Sequence, residues 1–390
     1  DASGAVVARA PYTIDWDATA ADKGGFSTFM EKEIHDQPAA VADTLRDRFD
    51  EFGKLKLDGG LIAESVLSSI DKIIVIACGT SSYAGLVAKY AIEHWCRIPV
   101  EVEYSHEFRY RDPVVSVKTL IVAISQSGET MDTIMAMRYA QQQGASVVAI
   151  VNVQGSTIAR EADAVLYTRA GPEIAVASTK ALVAQITATY LLGMFLAELR
   201  GNKFPGEVRA ILEQLGEMPA KIQRVLDTAE PIRALARSMV GERTILFLGR
   251  HVGYPVALEG ALKLKELAYI HAEGFAAGEL KHGPIALVEK DLPIFVVLPS
   301  PNGPDSLHAK VLSNIQEVRA RGARTIVLAE EGDEVAAKYA SEIFYLPEAP
   351  VLLTPLLALI PLQIFACELA GAKGNDVDQP RNLAKSVTVE

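Results

Sequence analysis

The order of apolar segments and glycine turns constrains the fold of this chain more than any other feature. Residues 73–200 and 244–372 each run from a short apolar strand through a glycine turn into a helix, continue through further strands, and end in a long apolar helix. Strands that alternate with helices in this way are typical of parallel sheets covered by helices. The sequence therefore predicts an α/β protein with two tandem, doubly wound parallel-sheet subdomains.

The predicted boundaries follow from this duplication. They divide the chain into a linker (1–27), a first subdomain with N-terminal helices (28–200), a connector of two helices (201–240), a second subdomain (241–373) and an irregular polar tail (374–390). One helical stretch is predicted over Phe29–Phe49. Short apolar runs predict strands at 73–77, 100–104, 120–124, 147–151 and 165–167, and at 244–248, 292–298, 324–328 and 342–345.

The loop after the third predicted strand is the strongest local signal for a ligand. It reads Ser125-Gln126-Ser127-Gly128-Glu129-Thr130 and leads directly into a helical pattern. A helix that starts at the carboxyl end of a strand offers unpaired N–H groups and the positive end of its dipole, which suit a phosphate group. The hydroxyl groups of Ser125, Ser127 and Thr130 add donors. The alternative is an ordinary capping box with Glu129 in the first helical turn.

The second half carries a cluster of charged residues at helical spacing. Glu259, Lys263 and Glu266 are four and three residues apart, so they share one face of a helix, whereas Lys265 points elsewhere. A carboxylate beside an ammonium group at the end of a strand could move a proton. The alternative is a solvated face stabilised by a common Glu–Lys pair.

Two further residues could carry chemistry. His282 lies in the turn Glu279-Leu280-Lys281-His282-Gly283-Pro284, and histidine titrates near neutral pH, which suits the opening of a sugar ring. Lys385 lies in the polar tail, where closure over a pocket would remove water and make it an amine nucleophile. The alternatives are an ordinary surface histidine and a solvated terminal lysine.

Composition excludes several classes of function. The net charge is −11 and basic residues form no run, which argues against nucleic acid or an anionic membrane as a partner. Three cysteines without metal-ligand spacing favour reduced thiols, a cytoplasmic location and no metal site. The apolar segments 181–199 and 351–372 contain polar residues and are interpreted as buried core helices.

Several motifs resemble the glucosamine-6-phosphate synthase family, the isomerizing glutamine–fructose-6-phosphate aminotransferases. The resemblance covers Gly24 to Glu390. The Ser125–Thr130 loop is shared by many sugar isomerase (SIS) domains, whereas the closing tail is highly specific to this family. The motifs are Gly79-Thr80-Ser81, the Ser125–Thr130 loop, Ala177-Ser178-Thr179-Lys180, the Glu259–Glu266 helix, the Glu279–Pro284 turn and the tail from Asp376 to Glu390.

The resemblance implies a role for each candidate residue. Ser125, Gln126, Ser127 and Thr130 would hold the phosphate of fructose 6-phosphate, with Thr80 and Ser81 nearby. The sugar site would be lined by Val176, Ser178 and Ala384. Glu266 would move a proton between C1 and C2 with support from Lys263 and Glu259, His282 would open the ring from across a homodimer interface, and Lys385 would form a Schiff base at C2.

The family's full enzyme makes glucosamine 6-phosphate from fructose 6-phosphate and glutamine, at the start of hexosamine and UDP-N-acetylglucosamine synthesis. It begins with a glutaminase domain that uses an N-terminal cysteine, whereas residue 1 here is Asp and the first cysteine is Cys78. The chain is therefore expected to be the isomerase half, with residues 1–27 as the linker from that missing domain. It is expected to need no metal or cofactor, and to isomerise fructose 6-phosphate to glucose 6-phosphate by itself.

Four other functions remain as alternatives. A non-catalytic SIS sensor of sugar phosphates would keep the Ser125–Thr130 loop but could lose Glu266, His282 and Lys385. A ketosamine-phosphate deglycase or an aldose–ketose isomerase would share the fold, but the tail argues against both. An NAD-dependent Rossmann enzyme would need a G-x-G-x-x-G turn, which neither Gly79-Thr80-Ser81 nor Gly249-Arg250-His251 completes.

Overall fold

The computed structural model describes residues 22–48, 58–60, 62–302 and 307–389. The first half contains helices α1–α8 and strands β1–β6. The helices are α1 Phe29–His35, α2 Gln37–Leu45, α3 Glu64–Ser69, α4 Thr80–Cys96, α5 Ser105–Phe108, α6 Met131–Gln142, α7 Thr157–Glu161 and α8 Lys180–Leu199. The strands are β1 Gly59–Gly60, β2 Lys72–Ala77, β3 Val100–Tyr104, β4 Thr119–Ser125, β5 Ser146–Val151 and β6 Ala164–Tyr167.

A helical connector and the second half complete the fold. The connector contains α9 Pro205–Gly216, α10 Met218–Asp227 and α11 Glu230–Ser238. The strands that follow are β7 Thr244–Gly249, β8 His271–Ala276, β9 Pro293–Val297, β10 Arg324–Glu330 and β11 Glu342–Leu346. The helices are α12 Gly253–Ala268, α13 Leu307–Arg319, α14 Glu334–Ala337 and α15 Pro355–Ala372, with short 3-10 helices at Glu279–His282, Pro284–Leu287 and Val351–Leu353.

The two sheets have the same strand order, which confirms the predicted duplication. The first runs β1-β6-β5-β4-β2-β3 and the second β11-β10-β9-β7-β8. All pairs are parallel except that between β1 and β6. Without β1, both orders are flavodoxin-like, and the direction of winding reverses between β2 and β4 and between β7 and β9. Ligands of such sheets bind at the carboxyl ends of the strands at this reversal.

The structure corrects three details of the predicted elements. The stretch predicted as one helix from residue 29 contains two, because α1 ends at its cap Asp36 and α2 has a proline in its first turn; Phe49 lies outside the described residues. The connector has three helices instead of two, and each begins with a proline at its first or second position. Strands β1 and β8 were not predicted. Strand β8 is a partly exposed edge strand with a glycine and without β-branched residues, so it lacks the apolar pattern of the inner strands.

Helices α4, α8, α12 and α15 form the centre of a core that spans both halves. Their buried apolar side chains belong to one continuous cluster, which also includes residues of the inner strands. Helices α8 and α15 are long and apolar enough to span a membrane by length and composition, but most of their residues are buried inside the protein. Their interpretation as core helices is confirmed. Helix α12 also packs against α4, which brings charged residues of the second half to the strand ends of the first.

Candidate active site

A cleft of about 270 Å³ lies at the winding reversal of the first sheet. Its walls come from the turn after β2, the loop after β4, the segment before α8, the exposed end of α12 and the tail. The starts of α4 and α6 both face it, so two helix N-termini contribute to one space. Such an arrangement favours an anionic group in the cleft.

Hydrogen bonds to its own hydroxyl groups fix the shape of the loop after β4. Ser125 Oγ accepts a hydrogen bond from the Gly128 N–H at 3.1 Å and lies 3.1 Å from Thr130 Oγ1. Ser127 Oγ accepts from the Glu129 N–H at 3.2 Å. These bonds fix the curvature of the loop, whose hydroxyl-bearing residues line the cleft, where a phosphate could accept from their hydroxyl groups.

The alternative of an ordinary capping box is wrong for this loop. Thr130 is the N-cap residue of α6, but its side chain makes no capping hydrogen bond. Glu129 instead accepts from the Thr157 N–H at 2.7 Å, at the start of α7. The polar side chains of the loop therefore stabilise the loop and a neighbouring helix instead of capping α6.

We expect Gly128→Ala to impair this loop severely. Gly128 has a φ of +64°, and a Cβ atom there would lie 2.0 Å from Ser156 Oγ. The left-handed conformation and the clash should together destabilise the protein by about 1–3 kcal/mol and displace the hydroxyl groups. Affinity for a phosphate-bearing ligand, measured by calorimetry, should fall at least about tenfold, which corresponds to about 1.4 kcal/mol of lost binding free energy. Gly155→Ala is the matched control, because Gly155 also has a positive φ but open space beside it; an equal loss of affinity in both variants would contradict the steric argument.

The charged face of α12 is buried, which excludes the alternative of a solvated face. The side chains of Glu259 and Lys263 are 1% and 0% exposed, and that of Glu266 is 21% exposed and borders the cleft. Lys263 Nζ lies 3.3 Å from Glu259 Oε1, donates to Thr80 Oγ1 at 3.0 Å and contacts Glu266. Thr80 belongs to the first turn of α4, so the packing of α12 on α4 assembles this cluster.

Burial and the neighbouring charges shift the protonation of this cluster. Burial raises the pKa of Glu259 to about 7 despite the attraction of Lys263, and the charge of Glu266 adds to the rise. For Lys263, burial would lower the pKa, but the two carboxylates outweigh it and raise the pKa above its ordinary value. Lys263 therefore remains an ammonium that orients Glu266 towards the cleft.

The tail folds back over the first half and brings Lys385 into the cleft. Lys385 Nζ donates to Glu173 Oε2 at 2.6 Å and to the Ala175 carbonyl at 2.7 Å. Glu173 is fully buried beside the start of α8, where its other oxygen accepts from the Thr179 and Ala181 N–H groups at 2.9 and 3.0 Å. The interpretation of Lys385 as a solvated terminal lysine is therefore wrong.

Several hydrogen bonds hold the tail in this position. Asp378 binds the start of α1 through the Phe29 and Met30 N–H groups at 3.0 and 2.9 Å, and its carbonyl accepts from the Val176 N–H at 2.9 Å. The Val387 carbonyl accepts from the Met131 N–H at 3.1 Å. The tail thus closes one side of the cleft and lies against the Ser125–Thr130 loop.

Most of the site residues predicted from the sequence meet in this one cleft. Glu259 and Lys263 lie behind its wall. The residues that line it are Thr80, Ser81, Ser125, Gln126, Ser127, Thr130, Val176, Ser178, Glu266, Ala384 and Lys385. His282 is the exception within the chain, because it lies on an exposed 3-10 helix and is not among the cleft-lining residues.

Three residues that shape the cleft are not among those predicted from the sequence. Glu173 lies in the stretch before α8, and a lone acidic residue after Gly-Pro and before an apolar helix is the sequence signal for it. Gln185 donates to Ser81 Oγ at 3.0 Å from inside α8, where a polar residue in a buried helix was the signal. Cys78 lines the cleft, and burial raises the pKa of its thiol, which favours the thiol over the reactive thiolate.

A family model described as SIS domain matches residues 66–194 and 238–373. The chain belongs to the SIS-domain family. The two matched ranges each contain one of the parallel sheets, in agreement with the duplication seen in the fold. The predicted fold class is therefore confirmed by both the architecture and the family.

Individual relatives agree with the resemblance found from the motifs. The chain is 70% identical over 390 residues to the isomerizing glutamine–fructose-6-phosphate aminotransferase of Corynebacterium efficiens, with 100% of this chain covered. Among solved structures it is similar to the C-terminal domain of glucosamine-fructose-6-phosphate aminotransferase from Francisella tularensis, with 39% identity, a TM-score of 0.85 and 92% of this chain and 100% of that chain covered. This SIS-family chain thus corresponds to the C-terminal part of these aminotransferases.

Two facts set the limits of these similarities. The chain spans 63% of the length of the Corynebacterium efficiens relative. The tagatose-6-phosphate ketose/aldose isomerase of Escherichia coli matches with a TM-score of 0.71 over 93% of this chain and 98% of its own, but with 19% identity. That likeness shows the shared fold alone.

Proposed function

We propose that this chain is the isomerase half of a glucosamine-6-phosphate synthase and acts on fructose 6-phosphate. The observation that carries the proposal is the meeting of Lys385 and Glu266 in one cleft with the Ser125–Thr130 loop. An amine, a carboxylate and an anion site within one small space match the requirements of a ketose phosphate that reacts at C1 and C2. The names of the relatives support this choice of substrate.

The proposed reaction begins with the phosphate in the loop after β4, bound by hydroxyl and N–H donors. A histidine from a second copy, His282, opens the sugar ring; its exposure on the surface of this chain is compatible with that role. Lys385 forms an imine with the C2 carbonyl, and Glu266 transfers the proton between C1 and C2. Buried Lys263, held by Glu259, contacts Glu266 and orients its carboxylate towards the cleft.

In the full enzyme, ammonia released from glutamine by a glutaminase domain would yield glucosamine 6-phosphate, the first intermediate of hexosamine synthesis. We propose a cytoplasmic homodimer for that setting, with the domain boundaries given above. Without ammonia, water would hydrolyse the imine to the open-chain ketone, and transfer of a proton from C1 to C2 would then give glucose 6-phosphate. The chain alone is therefore expected to interconvert the two hexose phosphates.

The direct test is NMR of fructose 6-phosphate incubated with the purified chain, without glutamine, for the wild type and Glu266→Gln. We expect glucose 6-phosphate from the wild type and a rate on the order of 10²–10⁴-fold lower in the variant, because removal of a proton-transfer group costs about that much. Glu213→Gln, an exposed position on α9, is the control. Full activity in Glu266→Gln would remove the proposed base, and binding without turnover in the wild type would favour a sensor.

A further inference from the structure

Two buried carboxylates beneath the tail have no role in the mechanism described so far. Glu173 contacts Lys385 directly, with Oε2 at 2.6 Å from Nζ and its side chain 0% exposed. Glu33, on α1, is also buried, and its Oε1 accepts from the Ile174 and Ala175 N–H groups. Its other oxygen, Oε2, has no hydrogen-bond partner among the described residues.

Both carboxylates act on the same short segment of backbone. The two N–H groups bound by Glu33 belong to residues directly after Glu173, and the Ala175 carbonyl accepts the second hydrogen bond of Lys385 at 2.7 Å. Glu33 thus fixes the acceptor carbonyl, and Glu173 supplies the acceptor carboxylate. Together they determine where the amine of the tail lies.

The two groups differ in protonation. Burial and the nearby charge of Glu173 raise the pKa of Glu33 to about 8, so it is mostly protonated at neutral pH. Burial would raise the pKa of Glu173 as well, but Lys385 and the N–H donors outweigh it and hold the pKa below its ordinary value. The other charges that face the pair are Lys180, which is itself paired with Asp36 at 3.0 Å, and Lys385.

We propose that Glu173 is the group that takes the ammonium proton from Lys385 and returns it during imine formation, and that Glu33 is a positioning residue that holds the 174–175 backbone for this exchange. This inference rests on the proposed Schiff-base chemistry and extends it to a step that none of the predicted site residues performs. Glu266 faces C1 and C2 in that chemistry, whereas Glu173 contacts the nitrogen.

The step balances as follows. The Lys385 ammonium gives one proton to Glu173, and the free amine attacks C2, forming the C–N bond while the carbonyl electrons move to oxygen. The nitrogen then passes a proton to that oxygen, giving a neutral carbinolamine. Glu173 returns its proton to the hydroxyl group, which leaves as water, and the protonated imine forms with Glu173 again a carboxylate. The sum is ammonium plus ketone to iminium plus one water.

The test measures imine formation as a function of pH. Fructose 6-phosphate and cyanoborohydride are added to the wild type, Glu173→Gln and Glu173→Asp between pH 6 and 9, and the reduced adduct on Lys385 is quantified by mass spectrometry. We expect Glu173→Gln to react on the order of 10²-fold more slowly than the wild type at pH 7, because it lacks the proton acceptor. The deficit should shrink by about a factor of ten per pH unit, because hydroxide from the solvent then takes the ammonium proton in place of Glu173.

Glu173→Asp keeps a carboxylate, so it should show a deficit that does not change with pH. Glu33→Gln retains an oxygen that can accept from the Ile174 and Ala175 N–H groups, so it should keep most of the rate of imine formation. Glu33→Ala removes this acceptor and should lower the rate of imine formation at every pH. A deficit of Glu173→Gln that is uniform across pH, or absent, would overturn the proton-transfer role. No adduct on Lys385 in the wild type would instead overturn the proposed function itself.

Discussion

Lys385→Ala is expected to reduce conversion of fructose 6-phosphate to the background of the assay. In the proposed reaction this amine bonds C2, and in the structure two acceptors hold it beside the Ser125–Thr130 loop. Its loss removes the covalent route altogether, which should cost more than the roughly 10²–10⁴-fold attributed to a single proton-transfer group. The measurement is glucose 6-phosphate formation followed by NMR.

Lys290→Ala provides the control, because Lys290 is exposed and far along the chain from every cleft residue. Binding of fructose 6-phosphate should persist in Lys385→Ala, since the Ser125–Thr130 loop is intact. Retained turnover in Lys385→Ala would mean that the sugar isomerises without prior formation of an imine. The tail would then serve as a wall of the cleft alone.

Lys263→Met is expected to lower the free energy of unfolding by about 3–5 kcal/mol, since removal of one partner from a buried ion pair leaves an uncompensated charge. Lys263 is fully buried and neutralises Glu259 and Glu266 at once. Urea unfolding followed by circular dichroism gives the difference. Lys265→Met on the same helix is exposed and should change stability by no more than about 0.5 kcal/mol.

The loss of unfolding free energy in Lys263→Met should depend on pH. When the pKa of a carboxyl group is higher in the folded than in the unfolded state, the folded state loses stability as the pH rises above the unfolded pKa. The pKa of Glu259 is already raised to about 7, and removal of the ammonium raises it further. The variant should therefore be closest to the wild type near pH 5 and furthest from it near pH 8. An equal deficit at both pH values would exclude Glu259 as the source.

The parts of this protein that could be predicted from sequence are those fixed by local pattern. The inner strands are unbroken apolar runs, and the Ser125–Thr130 loop carries its hydroxyl groups and its glycine within six residues. The edge strand β8 is not predicted from the sequence, because its half-exposed residues form no continuous apolar run. Each connector helix has a proline at its first or second position, and these prolines are the sequence signal for three separate helices.

The remaining parts depend on contacts between distant residues. The spacing of Glu259, Lys263 and Glu266 predicts a shared face, yet only the packing of α12 on α4 makes that face buried. Glu173 could not be linked to Lys385 by any pattern, because the two are 212 residues apart in the chain. The role of His282 and the homodimer remain predictions.

Asp378 ties the tail to the beginning of the fold. Its side-chain carboxylate accepts from the first N–H groups of α1, and its backbone carbonyl accepts from the segment that contacts Lys385. The amide hydrogens of Phe29 and Met30 are therefore shielded from solvent only while the tail is seated. Their exchange with deuterium would therefore report, from near the opposite end of the chain, how often the tail lifts and withdraws Lys385 from the cleft.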